Sequence, residues 1–254
     1  MNNIIITGGA GFIGYYLIKK YVKHNYKIYV LDNFERGRKD KHILRLSKNK
    51  NVKFVNIDLT KPINLRLKNI KKVFHLAAIV GVSNVNKSPI NTMKKNSLSL
   101  INLVDFLKKI KFRGKFIYFS TSEVYSPLIF KRIQKQPISE DKNLVISNKI
   151  IARDSYYLSK IFGEKYIQLS NFDYLILRPH NVYGPRMGIA HVIPELLIKA
   201  KNNEFLEIYS ANHTRSFCYI DDAILQIYKI SNSKIKNQIF NIGNDKEEIK
   251  IKDL

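Results

Sequence analysis

A single cysteine, Cys218, in 254 residues excludes an internal disulfide and a cysteine-held metal cluster. That scarcity fits a reducing compartment, so a cytoplasmic location and no metal site are expected. No run reaches the roughly 18 consecutive apolar residues that a membrane span requires, so membrane insertion is not expected. The apolar start has no basic residues before it and no small-residue cleavage site, and four glycines interrupt it; it reads as folded structure and not as a signal peptide. Acidic side chains are scarce, 20 Asp and Glu against 44 Lys and Arg, a net charge of +24. The lysines stand in ones and twos (Lys19 and Lys20, Lys71 and Lys72), with neither zinc-finger spacing nor an aromatic RNA-binding motif. A nucleic-acid partner is therefore not expected, and the positive surface suits phosphorylated small ligands.

What is present is an alternation. Short β-rich apolar runs recur at Asn3 to Thr7, Lys27 to Leu31, Val52 to Ile57, Lys72 to Leu76, Lys115 to Ser120 and Tyr174 to Arg178. Segments of helical periodicity lie at Phe12 to His24, Ile90 to Ile110 and Ala152 to Ser170. Parallel neighbours need crossover connections, so the order predicts a doubly wound α/β fold with helices on both faces. The pattern loosens after Pro179, with a helix from about His191 and two strand-like runs. Residues 1–178 are expected to form the Rossmann domain with the catalytic residues, and 179–254 a smaller, partial substrate lobe.

Gly8, Gly9, Gly11 and Gly14 crowd into "ITGGAGFIG", between the first strand and the first helix. Glycines there permit a tight turn and close approach of backbone to a pyrophosphate, whose charge the exposed N–H groups of a helix start favour. The next strand, "KIYVLDN", ends in Asp32, where a carboxylate accepts both hydroxyls of an adenosine ribose. The pair points to a dinucleotide, and the carboxylate favours NAD over its 2′-phosphorylated form. Arg36 and Arg38 nearby keep the second form open.

Tyr156 and Lys160 in "RDSYYLSKIFGEKY" are four apart on a helix and project from one face. A lysine ammonium beside a phenol favours the phenolate, which suits proton transfer near neutrality. Tyr157 lacks that spacing. In "KFIYFSTSEVY" a strand runs into Ser120, Thr121, Ser122 and Glu123, at the strand end where such sheets bind ligands. A hydroxyl there is placed to bind the substrate oxygen whose proton Tyr156 handles.

"TGGAGFIG", Asp32, "NIDLT", "HLAA", Asn96, "STSEVY", Tyr156-x-x-x-Lys160 and "LRPHNVYGPR" follow one another over nearly the whole chain. In that order they resemble the extended short-chain dehydrogenase/reductase superfamily, in its nucleotide-sugar epimerase and dehydratase branch. The resemblance implies that NAD is held by Gly8, Gly11, Phe12, Ile13, Gly14, Asp32, Asn33, Asp58, Leu59, Ala77, Ala78, Asn96, Tyr156 and Lys160. It implies that Tyr156 is the acid/base, that Lys160 holds the nicotinamide ribose and tunes Tyr156, and that Thr121 orients the sugar hydroxyl. Ser122, Asn181 and Arg215 would meet the substrate, the last two at its diphosphate.

Glu123 matches relatives that dehydrate or decarboxylate. The substrate-loop signatures of those enzymes are not evident in "IVGVSNVNKSP", so 4-epimerisation stands ahead of 4,6-dehydration and UDP-glucuronate decarboxylation. Ser126 replaces the usual glycine after "EVY", and the sequence stops where relatives continue, which leaves a non-catalytic NAD-binding or scaffolding protein as the alternative of another class. Relatives also imply a homodimer packed through Ile90 to Ile110 and Ala152 to Ser170.

Overall fold

Three successive isoleucines build the first strand, β1 (Asn3–Thr7), which is buried on both faces from Ile4 onward. Such a strand belongs in the middle of a parallel sheet covered by helices. The computed structural model describes residues 2–37, 39–131, 133, 137–189, 191–203, 205, 206, 208 and 211–254. After β1 come α1 (Phe12–Val22), β2 (Lys27–Asp32), α2 (Lys41–Ser47), β3 (Val52–Asn56), β4 (Ile70–His75), α3 (Val82–Lys87) and α4 (Pro89–Lys109). The chain continues through β5 (Lys115–Phe119), a 3-10 turn over Ser122–Tyr125, α5 (Ser126–Phe130), α6 (Asp154–Gln168) and β6 (Asp173–Pro179). It ends with β7 (Val182–Tyr183), α7 (Val192–Lys201), β8 (Thr214–Arg215), β9 (Cys218–Tyr219), α8 (Ile220–Asn232), β10 (Gln238–Ile242) and β11 (Ile249–Lys250).

Seven strands form one parallel sheet in the order β10-β6-β5-β4-β1-β2-β3. Side chains alternate across it, so Ile4 and Ile6 join one core with Leu17, Phe74 and Ile224, while Ile5 joins the other with Val73, Leu100 and Phe116. The chain order reverses where β1 lies between β2 and β4. Loops leaving the two halves diverge there, which opens a crevice at the carboxyl ends of the strands.

The boundary expected after Arg178 cuts through this sheet. β10 pairs with β6 from Gln238↔Leu175 to Ile242↔Pro179, and α8 buries Ile220, Ala223, Ile224 and Ile227. A seventh strand and its crossover helix thus come from the segment assigned to the lobe. Short runs after Pro179 hide this in the sequence, because Gln238–Ile242 carries Gln and Asn within an otherwise apolar strand. Only the pairs β7–β9 and β8–β11 stand outside the main sheet among the described residues.

Candidate functional site

The glycine turn joins β1 to α1. Gly8 has φ +67°, and a Cβ there would lie 2.8 Å from the Ala77 nitrogen. A Cβ on Gly14 would lie 2.6 Å from the Gly8 carbonyl oxygen. Each glycine is thus required by the packing of the turn. The helix start at Gly11 has no side-chain cap, so the amides of the first turn face the crevice without one. Asp32 is buried at the end of β2 and accepts from the Ala10 N–H (2.9 Å) and the Phe34 N–H (2.8 Å), one on each carboxylate oxygen. Each oxygen keeps a further acceptor position, as two ribose hydroxyls require. Open glycine backbone, an uncapped helix start and a partly free carboxylate fit a dinucleotide.

Neighbouring loops are tied to the turn. The Thr7 hydroxyl accepts from the Leu76 and Ala77 N–H groups (both 3.2 Å), so its own proton points to His75 Nδ1 at 2.9 Å. Burial pulls the His75 pKa down to about 3, with the nearby Lys160 charge adding to it. The unfolded chain takes up this proton first, from pH ~6.5 downward. Stability is therefore full above that pH and falls as the pH drops toward 3. By pH 5 the loss reaches about 2 kcal/mol. Urea unfolding at pH 7 and pH 5 is expected to give that difference for the native protein and a smaller one for His75→Gln.

Asn96 lies buried on α4 and its amide is committed. It accepts from the Ile79 N–H (2.7 Å) and donates to the Ile79 carbonyl (3.3 Å) and the Ser159 hydroxyl (3.0 Å). Asn96 thus holds the loop beyond Ala77 and Ala78 and ties it to α6. Asp58 accepts from the Thr60 N–H and hydroxyl, which hold its carboxyl below the ordinary range, and Leu59 is buried beside it. Phe12 and Ile13 are half-buried on the first turn of α1, and Asn33 is exposed just past Asp32.

Tyr156, Lys160 and Thr121 meet at the carboxyl end of β5. The Thr121 hydroxyl accepts from the Glu123 N–H (3.2 Å) and interacts with the Tyr156 phenol. Lys160 is buried, donates to the Phe119 carbonyl (2.7 Å), and has its Nζ 5.8 Å from the Tyr156 ring centroid. The expected lowering of Tyr156 by Lys160 does not hold in the protein by itself. Burial and the Glu123 carboxylate raise the phenol above its ordinary value, against smaller opposing effects of Thr121 and Arg36. Burial also draws Lys160 down to about 7, so near neutrality part of its ammonium charge is lost. Tyr157, the neighbour without the spacing, is buried.

Glu123 lines a small cleft with Gly81, Val82, Val85, Arg153 and Tyr156. Its carboxylate pairs with Arg153 at 3.5 Å, and burial raises its pKa against the Arg153 and Arg215 charges. Ser122 is half-buried between Thr121 and Glu123. Asn181 and Arg215 come from distant segments, and Asn181 Nδ2 donates to the carbonyl of Ser216 (3.1 Å), the residue after Arg215. Both are exposed. Arg36 lies close enough to act on Tyr156 and His191, whereas Arg38 falls outside the described residues.

Three arrangements escaped the motif reading. Arg153 stands three residues before Tyr156 and gives no spacing signal toward Glu123. Glu164 and Arg178 form a buried bidentate pair (2.9 and 2.7 Å), and a lone arginine in the apolar run "YLILRP" is the sequence mark that points to it. Arg186, at φ +69°, donates twice to Asp40 Oδ2 (3.0 and 2.8 Å) and covers the Tyr15 ring at 4.4 Å, while Asp40 Oδ1 caps α2. This latch joins the loop after β7 to the cofactor half. Asp40→Asn keeps the cap and loses the ion pair, whereas Asp40→Ala loses both. Chemical denaturation is expected to place the Ala variant about 1 kcal/mol below the Asn variant.

Comparison with known proteins bears on this geometry. The profile of the NAD dependent epimerase/dehydratase family matches residues 4–243. A Methanocaldococcus jannaschii protein assigned provisionally as a UDP-glucose 4-epimerase is 32% identical over 96% of this chain and 77% of its own. UDP-glucuronic acid decarboxylase 1 of Xenopus tropicalis is 29% identical over 96% of this chain, which spans 56% of that relative's length. Among solved structures, the UDP-glucuronic acid 4-epimerase of Bacillus cereus, in complex with UDP-glucuronic acid and NAD, superposes with a TM-score of 0.83 at 29% identity. That likeness covers 98% of this chain and 79% of the other.

Proposed function

Because the chain belongs to the NAD dependent epimerase/dehydratase family, we propose that it is an NAD-dependent nucleotide-sugar 4-epimerase working through a transient keto sugar. One observation carries the reading: Thr121, Tyr156 and Lys160 converge at one strand end, on the same edge of the sheet as the glycine turn and Asp32. NAD held there supplies a site that accepts a hydride and gives it back. Thr121 orients the sugar hydroxyl, and Tyr156 takes its proton as the carbon becomes a ketone and returns the proton afterward. Lys160 supports the phenolate. Arg215 and Asn181 offer donors to a diphosphate.

The Glu123–Arg153 ion pair at 3.5 Å supports placing dehydration behind epimerisation, because a base for that step takes up the proton beside the ketone and the Arg153 charge opposes that uptake. Decarboxylation needs no such base, and the relatives that act on glucuronic acid keep it as the second reading. Mass spectrometry of nucleotide sugars incubated with the protein and NAD separates the readings. A new isomer of unchanged mass supports epimerisation. Loss of carbon dioxide or water replaces it with the corresponding alternative, and no change while NAD raises the melting temperature favours a non-catalytic NAD-binding protein.

The proposal includes a homodimer and a cytoplasmic location. Met93 on α4, Phe162 on α6 and Leu169 just past the end of α6 are exposed, and α4 packs on α6. Sedimentation at micromolar concentration tests the dimer, and a monomer there removes it. No helix among the described residues is long and apolar enough to cross a membrane.

A further inference from the structure

Three successive residues leaving β5 serve three groups of α6. The Phe119 carbonyl accepts from Lys160 Nζ (2.7 Å), the Ser120 hydroxyl donates to Glu164 Oε1 (2.5 Å), and the Thr121 hydroxyl meets Tyr156. Lys160 and Glu164 are one turn apart and both buried, so they stand on the same face of α6. Glu164 is gripped from the other side by Arg178 of β6, through Nε (2.9 Å) and Nη2 (2.7 Å). Arg178 Nη1 in turn donates to the Tyr125 hydroxyl (2.6 Å), which donates to Asn241 Oδ1 (3.0 Å). The Glu164 carboxylate is bonded by Arg178 and Ser120 and stands one helical turn from Lys160 in a poorly screened interior, so its field reaches the Lys160 ammonium while Arg178 partly neutralises it.

We propose that Glu164 is a positioning residue that keeps Lys160 charged beneath Tyr156, and that Arg178 limits how much of Glu164's field Lys160 receives. The inference rests on the reading of Lys160 given above. The ionisable groups facing Lys160 are His75 from β4, Tyr118 from β5, and Tyr156 and Glu164 from its own helix; Arg178 reaches it through Glu164. His75 is neutral above about pH 3, and burial keeps Tyr118 protonated, so Glu164 is the anion that opposes the loss of the Lys160 proton.

The test is the direct titration of Lys160 in protein labelled with 13C at lysine Cε, its signal identified by its loss in Lys160→Arg. No sugar or cofactor is needed. Glu164→Gln is expected to lower the Lys160 midpoint by about one pH unit. Arg178→Gln is expected to raise it by a similar amount, and the double variant to return it toward the native value. A purely packing role lowers the melting temperature of both single variants and does not drive the titration in opposite directions. Midpoints that move together, or not at all, overturn the proposal. Where Glu164→Gln fails to fold, the upward shift in Arg178→Gln decides alone: a midpoint unchanged or lowered there overturns it. The same opposed shifts are expected in the alkaline limb of turnover. If the titration behaves as stated while no sugar is turned over, the proposed function fails and this inference stands.

Discussion

Replacing Tyr156 by Phe is expected to lower turnover by roughly 10²- to 10⁴-fold while leaving NAD affinity close to native. The substitution removes one oxygen from a half-buried ring and nothing from the glycine turn or Asp32, so cofactor contacts persist. The loss falls on the proton alone. Thr121, whose hydroxyl keeps the Glu123 N–H as a partner, is expected still to order the sugar hydroxyl under the proposed function, which predicts an effect on kcat with little change in KM. Tyr156 stands above its ordinary pKa without ligands, and a positively charged nicotinamide beside it is expected to shift the balance toward phenolate. Measuring kcat on the nucleotide sugar alongside NAD-dependent thermal shifts checks both halves. Turnover within tenfold of native would remove Tyr156 from the acid/base role.

Gly8→Ala is expected to abolish cofactor binding and to weaken the fold itself. A non-glycine residue at φ +67° carries a cost of about 1 kcal/mol or more. The added methyl lies 2.8 Å from the Ala77 nitrogen and 2.9 Å from its Cα, and backbone cannot swing aside as a side chain does. Such crowding costs a further ~1–3 kcal/mol. Relief comes by moving β1's turn away from the loop that Thr7 ties to Leu76 and Ala77, which disrupts the surface offered to the pyrophosphate. The native protein is expected to gain about 2.7 kcal/mol from NAD at a hundredfold excess over Kd, and the variant to gain almost none. Equal NAD stabilisation in both would show that the turn tolerates the methyl and is not where the cofactor lies.

Much of the fold was legible because the sheet is parallel and buried, which gives its central strands short runs dominated by apolar residues. Asn3 to Thr7 was read to the residue, and the long helices were read to within two residues at either end. The exception, β10, lies at the edge and packs fewer apolar side chains, so its pairing with β6 has no local signature. The candidate site was legible where chemistry depends on fixed spacing along one element, as with Tyr156 and Lys160. It was not legible where charges from distant segments meet. Arg153 with Glu123, Arg178 with Glu164 and Arg186 with Asp40 are set by tertiary folding, and no spacing along one element announces them. The raised phenol of Tyr156 likewise comes from burial and from Glu123 on another segment, which the spacing to Lys160 does not show.

The edge position of β10 carries a consequence for biosynthesis. As the nascent chain leaves the ribosome, β1 to β6 emerge first, and β6 then presents the backbone of "DYLILRP" with one side unpaired. At ~5–20 residues per second that edge stays open for several seconds, until Gln238–Ile242 is made. An open apolar edge is a template for pairing with another chain, and premature release of the polypeptide would leave it permanently so. Expression of the first 237 residues alone should accordingly yield chaperone-bound or insoluble material instead of a smaller dinucleotide-binding domain.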